Sequence, residues 1–181
     1  MIKKGIATQW NKNVNLNKTN AMSKKVIQII ADEYKKLTDL SKDDQQLVLM
    51  AREISGKAYA PYSNFSVGAA VLLVNGEIIK GNNQENADFT DGLCAERVAL
   101  FYAHSIHPNV AVDTIAVSAK NLNGLIPGPA LPCGSCRQVL IESESRFNHQ
   151  IKIILDGAEK IFVIDGADNL LPFAFKPDSL G

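Results

Sequence analysis

Residues 67–87 read "VGAAVLLVNGEIIKGNNQENA", and this stretch decides which kind of fold the chain can adopt. Two apolar runs flank the dipeptide Asn75-Gly76, which is typical of the type I′ turn of a β-hairpin. The stretch is therefore predicted to form two antiparallel strands joined by a tight turn.

Helices and further strands are predicted on both sides of this hairpin. Ser41, followed by Asp44, resembles an N-cap that opens one helix, and Cys94 and Cys133 each open another. Strands that alternate with helices indicate an α/β sandwich built on a mixed β-sheet. The helices are expected at about residues 42–55, 94–104 and 133–147, and the strands at residues 24–34 (with a short helix as the alternative), 112–120, 151–157 and 160–166.

Length and charge limit the classes of partner. A chain of 181 residues with 46% apolar and 21% charged residues fits one globular domain with a substantial core. Residues 1–25 contain six lysines and no acidic residue, which leaves 13 basic and 19 acidic residues in the remainder. An acidic body is a poor electrostatic partner for polynucleotide phosphates, so no nucleic-acid partner is expected.

The start of the chain is predicted to lie outside the folded body. Residues 1–22 are rich in Asn and Lys and show no periodicity, as in a flexible tail or a leader from a start upstream of Met22. We therefore divide the chain into a basic tail, residues 1–24, and a single folded domain, residues 25–181. No apolar run has membrane-spanning length, and the start lacks the apolar block of a signal peptide. We expect a cytoplasmic protein without a membrane partner.

The chain contains three cysteines, and their placement needs a reason. A Cys-x-x-Cys pair alone is compatible with redox chemistry, but that function leaves Cys94 without a role. A structural zinc needs four ligands, and the three histidines are badly placed to supply the fourth. Three thiolates with an open fourth position are typical of a catalytic zinc, where water occupies that position.

The predicted helix starts favour this arrangement. Cys133 and Cys136 share one helix face, and the positive end of a helix favours thiolate over thiol. Arg97 is well placed to offset the negative charge of three thiolates. Glu96 opens an otherwise apolar helix, so it is either a residue that complements the helix dipole or a buried general acid and base.

Five blocks of sequence resemble, in order, those of the small homotetrameric cytidine deaminases of the three-cysteine zinc type. The blocks are "AYAPYSNFSVGAAV" (58–71), "GNNQENA" (81–87), "CAERVAL" (94–100), "PCGSCRQV" (132–139) and "LLPFAF" (170–175). The likeness extends over residues 42–181. It implies a three-layer sandwich around a mixed β-sheet, hydrolytic deamination of cytidine and deoxycytidine in pyrimidine salvage, and a homotetramer with sites at the subunit interfaces.

The resemblance also assigns the metal site. It implies one Zn²⁺ per subunit, held by Cys94, Cys133 and Cys136. Glu96 would move protons during the hydrolysis without binding the metal.

Other roles concern the substrate, a pyrimidine nucleoside. Asn83 and Glu85 match residues that grip the ribose hydroxyls, and their i, i+2 spacing puts both side chains on one face of an extended segment. Phe65 would lie against the base, and the backbone of Ala95 would hold the pyrimidine amide edge. Phe175 matches an aromatic residue that reaches the site of a neighbouring subunit.

The resemblance also gives roles to residues beside the thiols. Arg97 and Gln138 match residues that bond to the cysteine sulfurs and temper their charge. The stretch "LPFAFKPDSLG" (171–181) is too short and interrupted for a helix, and Phe173 is expected to dock on its own core.

Four positions depart from the commonest family pattern and leave the fine substrate preference open: Ser66, Asn82, Gln84 and Phe89.

Three other functions remain as alternatives. A deaminase of tRNA or DNA shares the zinc chemistry, but the acidic body opposes it. A deaminase of another aminonucleoside, of the blasticidin S type, shares the same pocket plan. A non-catalytic zinc-binding module needs neither a buried Glu96 nor an open fourth position.

Overall fold

The computed structural model describes residues 23–181 and arranges them around one β-sheet. None of the helices in this range combines the length and the apolar character needed to cross a bilayer. The helices are α1 (Lys42–Ser55), α2 (Ala95–Ile106) and α3 (Gly134–Phe147), and the strands are β1 (Asp32–Tyr34), β2 (Ser66–Leu73), β3 (Ile78–Asn82), β4 (Val112–Asn121), β5 (Gly124–Leu125), β6 (Lys152–Leu155) and β7 (Ile161–Asp165).

The sheet is mixed, as the sequence predicts. Its strand order is β1-β7-β6-β4-β2-β3, and β5 pairs with one end of β4. Strands β4 and β6 are parallel, whereas the other described pairs are antiparallel. The parallel pair is connected through α3, which carries the chain across one face of the sheet.

Helices cover both faces, so the predicted three-layer sandwich is confirmed. Because neighbouring residues of a strand point to opposite faces, Ala70 packs with α1 residues such as Val48, whereas Ala69 packs with α2 residues such as Leu100. Helix α1 approaches β2 at Gly68, where an added Cβ would lie 2.1 Å from the carbonyl oxygen of Ala51.

Helix α2 also lies close to β3. A Cβ on Gly81 would lie 2.5 Å from the backbone nitrogen of Ala99 and 2.8 Å from the carbonyl oxygen of Ala95. Only glycine permits this backbone contact. It places the start of α2 beside the end of β3, and both of these carry predicted site residues.

The predicted helix starts are confirmed. Ser41 is the N-cap of α1, and its side chain accepts a hydrogen bond from the backbone N–H of Asp44 at 3.2 Å. Cys94 and Cys133 are the N-cap residues of α2 and α3, and neither side chain makes a capping hydrogen bond. Both thiols are thus available for another role.

The hairpin forms, but its turn is not type I′. A type I′ turn needs positive φ at both central residues, and Gly76 has φ of 89° whereas Asn75 has no positive φ. The N–H of Gly76 bonds to the carbonyl of Leu73, whose own N–H bonds to the carbonyl of Glu77. Residues 74–76 therefore form a three-residue loop that ends in a left-handed glycine.

The strand predicted at residues 24–34 is mostly absent. Only Asp32–Tyr34 pair with β7, and residues 23–31 form no regular element. Strand β7 offers few partners, because it is five residues long and ends at Asp165. Residues 1–22 of the predicted tail lie outside the described residues.

The expectation that Phe173 docks on the core is wrong. Its side chain is 82% exposed, and its φ of 64° belongs to a tight turn that directs the ring outward. The segment after this turn is tied down by an ion pair of 2.8 Å between Lys176 and Asp168. A single turn of 3₁₀-helix, Pro177–Leu180, follows.

Candidate metal centre and substrate cavity

Two helix starts bring the three thiols together. Cys94 and Cys133 cap α2 and α3, and Cys136 lies in the first turn of α3. The Sγ of Cys133 lies 3.8 Å from that of Cys94 and 3.5 Å from that of Cys136. All three sulfurs lie within 4.8 Å of one another.

This spacing fits a zinc ion. At a Zn–S distance of about 2.3 Å, two sulfurs of a tetrahedral site lie about 3.8 Å apart. Within residues 23–181, no histidine or carboxylate joins the cluster. The donor set of three thiols therefore leaves the fourth position to water or substrate, which is the pattern of catalytic zinc sites.

The three histidines lie elsewhere, as the sequence suggests. The Nε2 of His104 lies 3.1 Å from the hydroxyl of Ser143, and that of His149 lies 3.7 Å from a carboxylate oxygen of Asp113. His107 is the C-cap of α2, at the end opposite to Cys94.

The electrostatics of the cluster favour a bound cation. A hydrogen bond with Cys136, assisted by Arg97, lowers the pKa of the Cys94 thiol to about 5. The same hydrogen bond, together with burial, raises the pKa of Cys136. Two adjacent thiolates are therefore disfavoured without a nearby cation, and a cation bound between the sulfurs would favour the ionised form of both.

Arg97 lies where a cation can offset the negative charge of the thiolates. Its Nη2 is 3.8 Å from the Sγ of Cys94 and 3.4 Å from the carbonyl oxygen of Gly92. Its Nε is buried and has no hydrogen-bond partner among the described residues.

Glu96 is buried beside the thiols. Its side chain is 4% exposed. Burial, followed by the nearby charge of Cys94, raises the pKa of its carboxyl group. A first-turn glutamate that only complemented the helix dipole would be expected in solvent, so the burial favours the alternative of a general acid and base.

The loop that leads into Cys133 is braced by the segment after β6. The backbone N–H of Ala130 bonds to the carbonyl of Asp156 at 2.9 Å. The Asp156 carboxylate is fully buried and accepts two hydrogen bonds from Arg52, at 2.8 and 2.7 Å, and one from Ser118 at 2.7 Å. This network fixes the approach of the chain to α3.

One cavity of about 930 Å³ joins the thiols to the predicted sugar-binding residues. Cys94, Cys133 and Glu96 are among its lining residues. Its wall also includes Phe65, Asn83, Glu85 and Arg97, all of which the sequence singles out. The sequence assigned no role to several other lining residues: Tyr62, Ser63, Leu93, Ile126 and Leu131.

Asn83 and Glu85 are both held by the start of β2 and the segment just before it. Asn83 accepts a hydrogen bond from the N–H of Val67 at 2.7 Å and donates one to the carbonyl of Phe65 at 2.9 Å. The Glu85 carboxylate accepts from the backbone N–H of Tyr62 at 2.9 Å and from both the N–H and the hydroxyl of Ser63. These bonds, that of the Ser63 hydroxyl first, lower the pKa of Glu85.

Four of the predicted site residues are not among the lining residues of the cavity in this chain: Ala95, Cys136, Gln138 and Phe175. Ala95 is fully buried at the first position of α2, where its backbone N–H has no acceptor within the helix. The ring of Phe175 is 58% exposed.

Gln138 differs from its expected contact. It was predicted to bond to a cysteine sulfur, but its amide donates to the backbone carbonyl of Phe175 at 2.7 Å. The physical reason is its position on α3, two residues after Cys136, which turns the side chain away from the thiol face. Gln138 therefore ties the C-terminal segment to the helix that carries two of the thiols.

Ser63 is the contact that sequence reasoning missed. It lies in the block at residues 58–71, but its partner Glu85 is 22 residues away along the chain. Its only signal was a small hydroxyl residue two positions before Phe65, which was predicted to lie against the base.

Comparisons with known proteins agree with this geometry. The family model described as the cytidine and deoxycytidylate deaminase zinc-binding region matches residues 41–148. A cytidine deaminase of Halalkalibacterium halodurans is 45% identical over 100 residues, which cover 55% of this chain and 71% of that protein. A cytidine deaminase of Sporosarcina psychrophila is 35% identical over 138 residues, covering 76% of this chain and 95% of that protein. The crystal structure of cytidine deaminase from Burkholderia pseudomallei superposes with a TM-score of 0.63 at 37% identity, covering 75% of this chain and all of that one.

Proposed function

Because this chain belongs to the cytidine and deoxycytidylate deaminase family, we propose that it hydrolyses cytidine and deoxycytidine to uridine and deoxyuridine with release of ammonia. The observation that carries the proposal is the burial of Glu96 beside three clustered thiols, two of which, Cys94 and Cys133, line the same cavity as Glu96. We assign the reaction to a single domain, residues 25–181, and give residues 1–24 no part in it.

Cys94, Cys133 and Cys136 would hold one Zn²⁺ per chain. The bound ion would supply the Lewis acidity that makes a water molecule acidic near neutral pH. Arg97, whose guanidinium lies 3.8 Å from the Cys94 sulfur, would offset part of the negative charge of the thiolates.

Glu96 is the proposed general acid and base. Its carboxylate accepts a proton from the attacking water and donates that proton to N3 of the cytosine ring. Once the water oxygen has bonded to C4, Glu96 transfers the second proton to the amino nitrogen, the C4–N4 bond breaks and ammonia leaves. Burial raises the pKa of Glu96, which favours a carboxyl group that both accepts and donates a proton during the reaction.

The wall of the cavity favours a nucleoside over a nucleotide. Asn83 and Glu85 would bind the ribose hydroxyls, and their fixed contacts support a preformed site. Among the described residues that line the cavity, Arg97 is the only cation, and it faces Cys94. The Glu85 carboxylate would repel a phosphate at the sugar end.

The base would lie in the inner part of the cavity. Phe65, on the cavity wall, would contact the pyrimidine ring. The backbone N–H of Ala95, free of an acceptor within the helix, would hold the amide edge of the base.

Assembly, location and pathway are part of the same proposal. We propose a cytoplasmic homotetramer that serves pyrimidine salvage and has its sites at subunit interfaces. The exposed ring of Phe175 supports this assembly, because a ring 58% exposed next to a tethered backbone is free to contact another subunit.

A substrate panel tests the proposal. Ammonia release would be measured for the zinc-loaded protein with cytidine, deoxycytidine, deoxycytidine monophosphate, cytosine and blasticidin S. We expect the two nucleosides to have the highest kcat/KM. If blasticidin S were the best substrate, it would replace cytidine in the assignment. If deoxycytidine monophosphate were the best substrate, the argument from the charge of the cavity wall would be contradicted. If no compound were turned over, the protein would be a non-catalytic zinc module.

A further inference from the structure

The segment directly before β1 exposes an unusual amount of apolar surface. Val26, Ile27, Ile29 and Ile30 are 88%, 43%, 55% and 63% exposed, respectively. They lie within residues 23–31, which form no regular element. Large aliphatic side chains crowded into so short an exposed stretch mark an interaction surface.

The backbone beside this segment is also incomplete. Strand β1 pairs only with β7 and is an edge strand of the described sheet. One of its edges therefore offers backbone N–H and C=O groups without a strand partner among the described residues. Such an edge accepts an added strand, and β-branched residues suit an extended partner.

The charges of the segment specify what that partner is. "KKVIQIIADEY", residues 24–34, is basic at its start, apolar in its middle and acidic near its end. Antiparallel pairing of this segment with itself places Lys24 opposite Asp32 when it is centred on Gln28. Centring on Ile29 places Lys25 opposite Glu33. Either register joins opposite charges at both ends, and opposite charges directly across a strand pair are stabilising.

We propose that residues 24–34 of two copies of this chain pair antiparallel across a two-fold axis and extend β1 into a strand shared between the copies. The contact is isologous, since each copy supplies the same surface. The paired backbones satisfy the open edge, and the aliphatic side chains of the two copies pack against one another. Any other antiparallel partner would need the same order of charges, basic at its start and acidic near its end, to meet this segment equally well.

The proposed contact does not involve the cavity. Strands β1 and β3 are at opposite ends of the sheet, and Asn83 follows β3. The pairing would therefore add to an assembly held by other surfaces and leave substrate access unchanged. Glu33 already lies 3.7 Å from Lys160, but an exposed ion pair of this kind contributes little and leaves the carboxylate available.

Charge reversal tests the pairing without deleting the segment. Sedimentation velocity would be measured for the zinc-loaded full chain over a range of concentrations. K24E/K25E and D32K/E33K should each weaken the concentration-dependent association step by at least about tenfold, because each makes like charges face each other. K35E/K36E changes the charge equally, just outside the segment, and serves as the matched control.

Mixing the two variants gives the decisive result. K24E/K25E together with D32K/E33K should restore association, since the pairs across the interface are again of opposite charge. The backbone amides of residues 26–31 should gain protection from hydrogen exchange as the concentration of the unaltered chain rises. Failure of the mixture to associate, protection that does not depend on concentration, or an unaltered chain no larger than K24E/K25E would overturn the proposal. Cytidine turnover should be the same in all variants.

Discussion

Ser63 holds the carboxylate of Glu85 with two donors. Its hydroxyl and its backbone N–H both bond to Glu85, and the N–H of Tyr62 supplies a third hydrogen bond at 2.9 Å. A carboxylate with three donors is fixed in one orientation and stabilised in its charged form. Ser63 thus acts as a positioning residue for the sugar end of the proposed site.

Replacing Ser63 by alanine should therefore affect substrate binding more than chemistry. We expect the KM for cytidine to rise about threefold to tenfold with little change in kcat, as one hydrogen bond to a charged group is lost. Ser145→Ala, on an exposed position of α3, is the matched control.

The pH dependence gives a second readout for Ser63. The pKa of Glu85 is lowered, so its ionised form persists to below its usual titration range. Binding should weaken only as the pH falls through this lowered pKa. Without the Ser63 hydroxyl the pKa rises, and the acid limb of kcat/KM against pH should move to higher pH. An unmoved limb would show that Ser63 does not act through Glu85.

Glu96→Ala should separate proton transfer from metal binding. Positioned proton transfer contributes typically about 10² to 10⁴-fold, so kcat should fall by at least this factor while the zinc content stays at one per chain. Metal analysis and thermal unfolding of the same sample check that the fold remains. Turnover near that of the unaltered protein would remove Glu96 from the mechanism.

Gly81→Ala should disturb the site through packing alone. The added Cβ would lie 2.5 Å from the nitrogen of Ala99, so α2 must shift away from β3. Overpacking of this kind typically costs about 1–3 kcal/mol in the free energy of unfolding. Gly128→Ala adds the same atom where nothing lies within 4 Å and should leave stability nearly unchanged. Chemical denaturation of both variants makes the comparison.

His104 should make stability depend on pH. Burial, followed by the charge of Arg146, lowers its pKa from 6.5. The unfolded chain then binds the proton more readily than the folded chain does. The stability that neutral His104 contributes is therefore fully present above about pH 6.5. It is lost as the pH falls through 6.5 toward the lowered pKa. His104→Gln should flatten the decrease of the unfolding midpoint between pH 7 and 5.5, measured with zinc in excess. An identical decrease in both proteins would assign it to other groups.

Phe175→Ala tests whether neighbouring chains complete the site. Loss of an aromatic stacking contact should weaken nucleoside binding by about 1 kcal/mol while zinc is retained. Phe173→Ala is the matched control, because Phe173 is also exposed and lies in the same segment. Sedimentation alongside kinetics should show activity falling with assembly on dilution. A fully active monomer would show that each chain builds its pocket alone.

The sequence predicted the metal site well because its geometry is local. Cys94 and Cys133 had to begin helices, and a helix start fixes where its N-cap side chain points. The burial of Glu96 also followed from local pattern, since it opens an otherwise apolar helix. The convergence of the two helix starts was inferred because one zinc ion gives all three thiols a role, and the resemblance supported this inference; thiol spacing along the chain does not predict it alone.

The errors have a different origin. Residues 24–31 have a strong β-pattern, but a strand exists only where a neighbouring strand offers partners, and β7 is short. Phe173 is apolar but sits in a tight turn with positive φ, which local composition does not reveal. The bond from Gln138 to Phe175 joins residues 37 apart, and periodicity within α3 cannot predict it. The errors on residues 24–31 and on Gln138 concern contacts between distant segments, whereas the error on Phe173 concerns the local conformation of the backbone.

The convergence of two helix starts also has a consequence for the unfolded chain. Cys94 and Cys133 are 39 residues apart, so one ion bound to both would close a loop of that length. A covalent cross-link of similar span removes about 4 kcal/mol of conformational entropy from an unfolded ensemble. A chain that kept its zinc while denatured would have far fewer conformations to search, with the starts of α2 and α3 already adjacent. The ion would then guide refolding as well as catalysis.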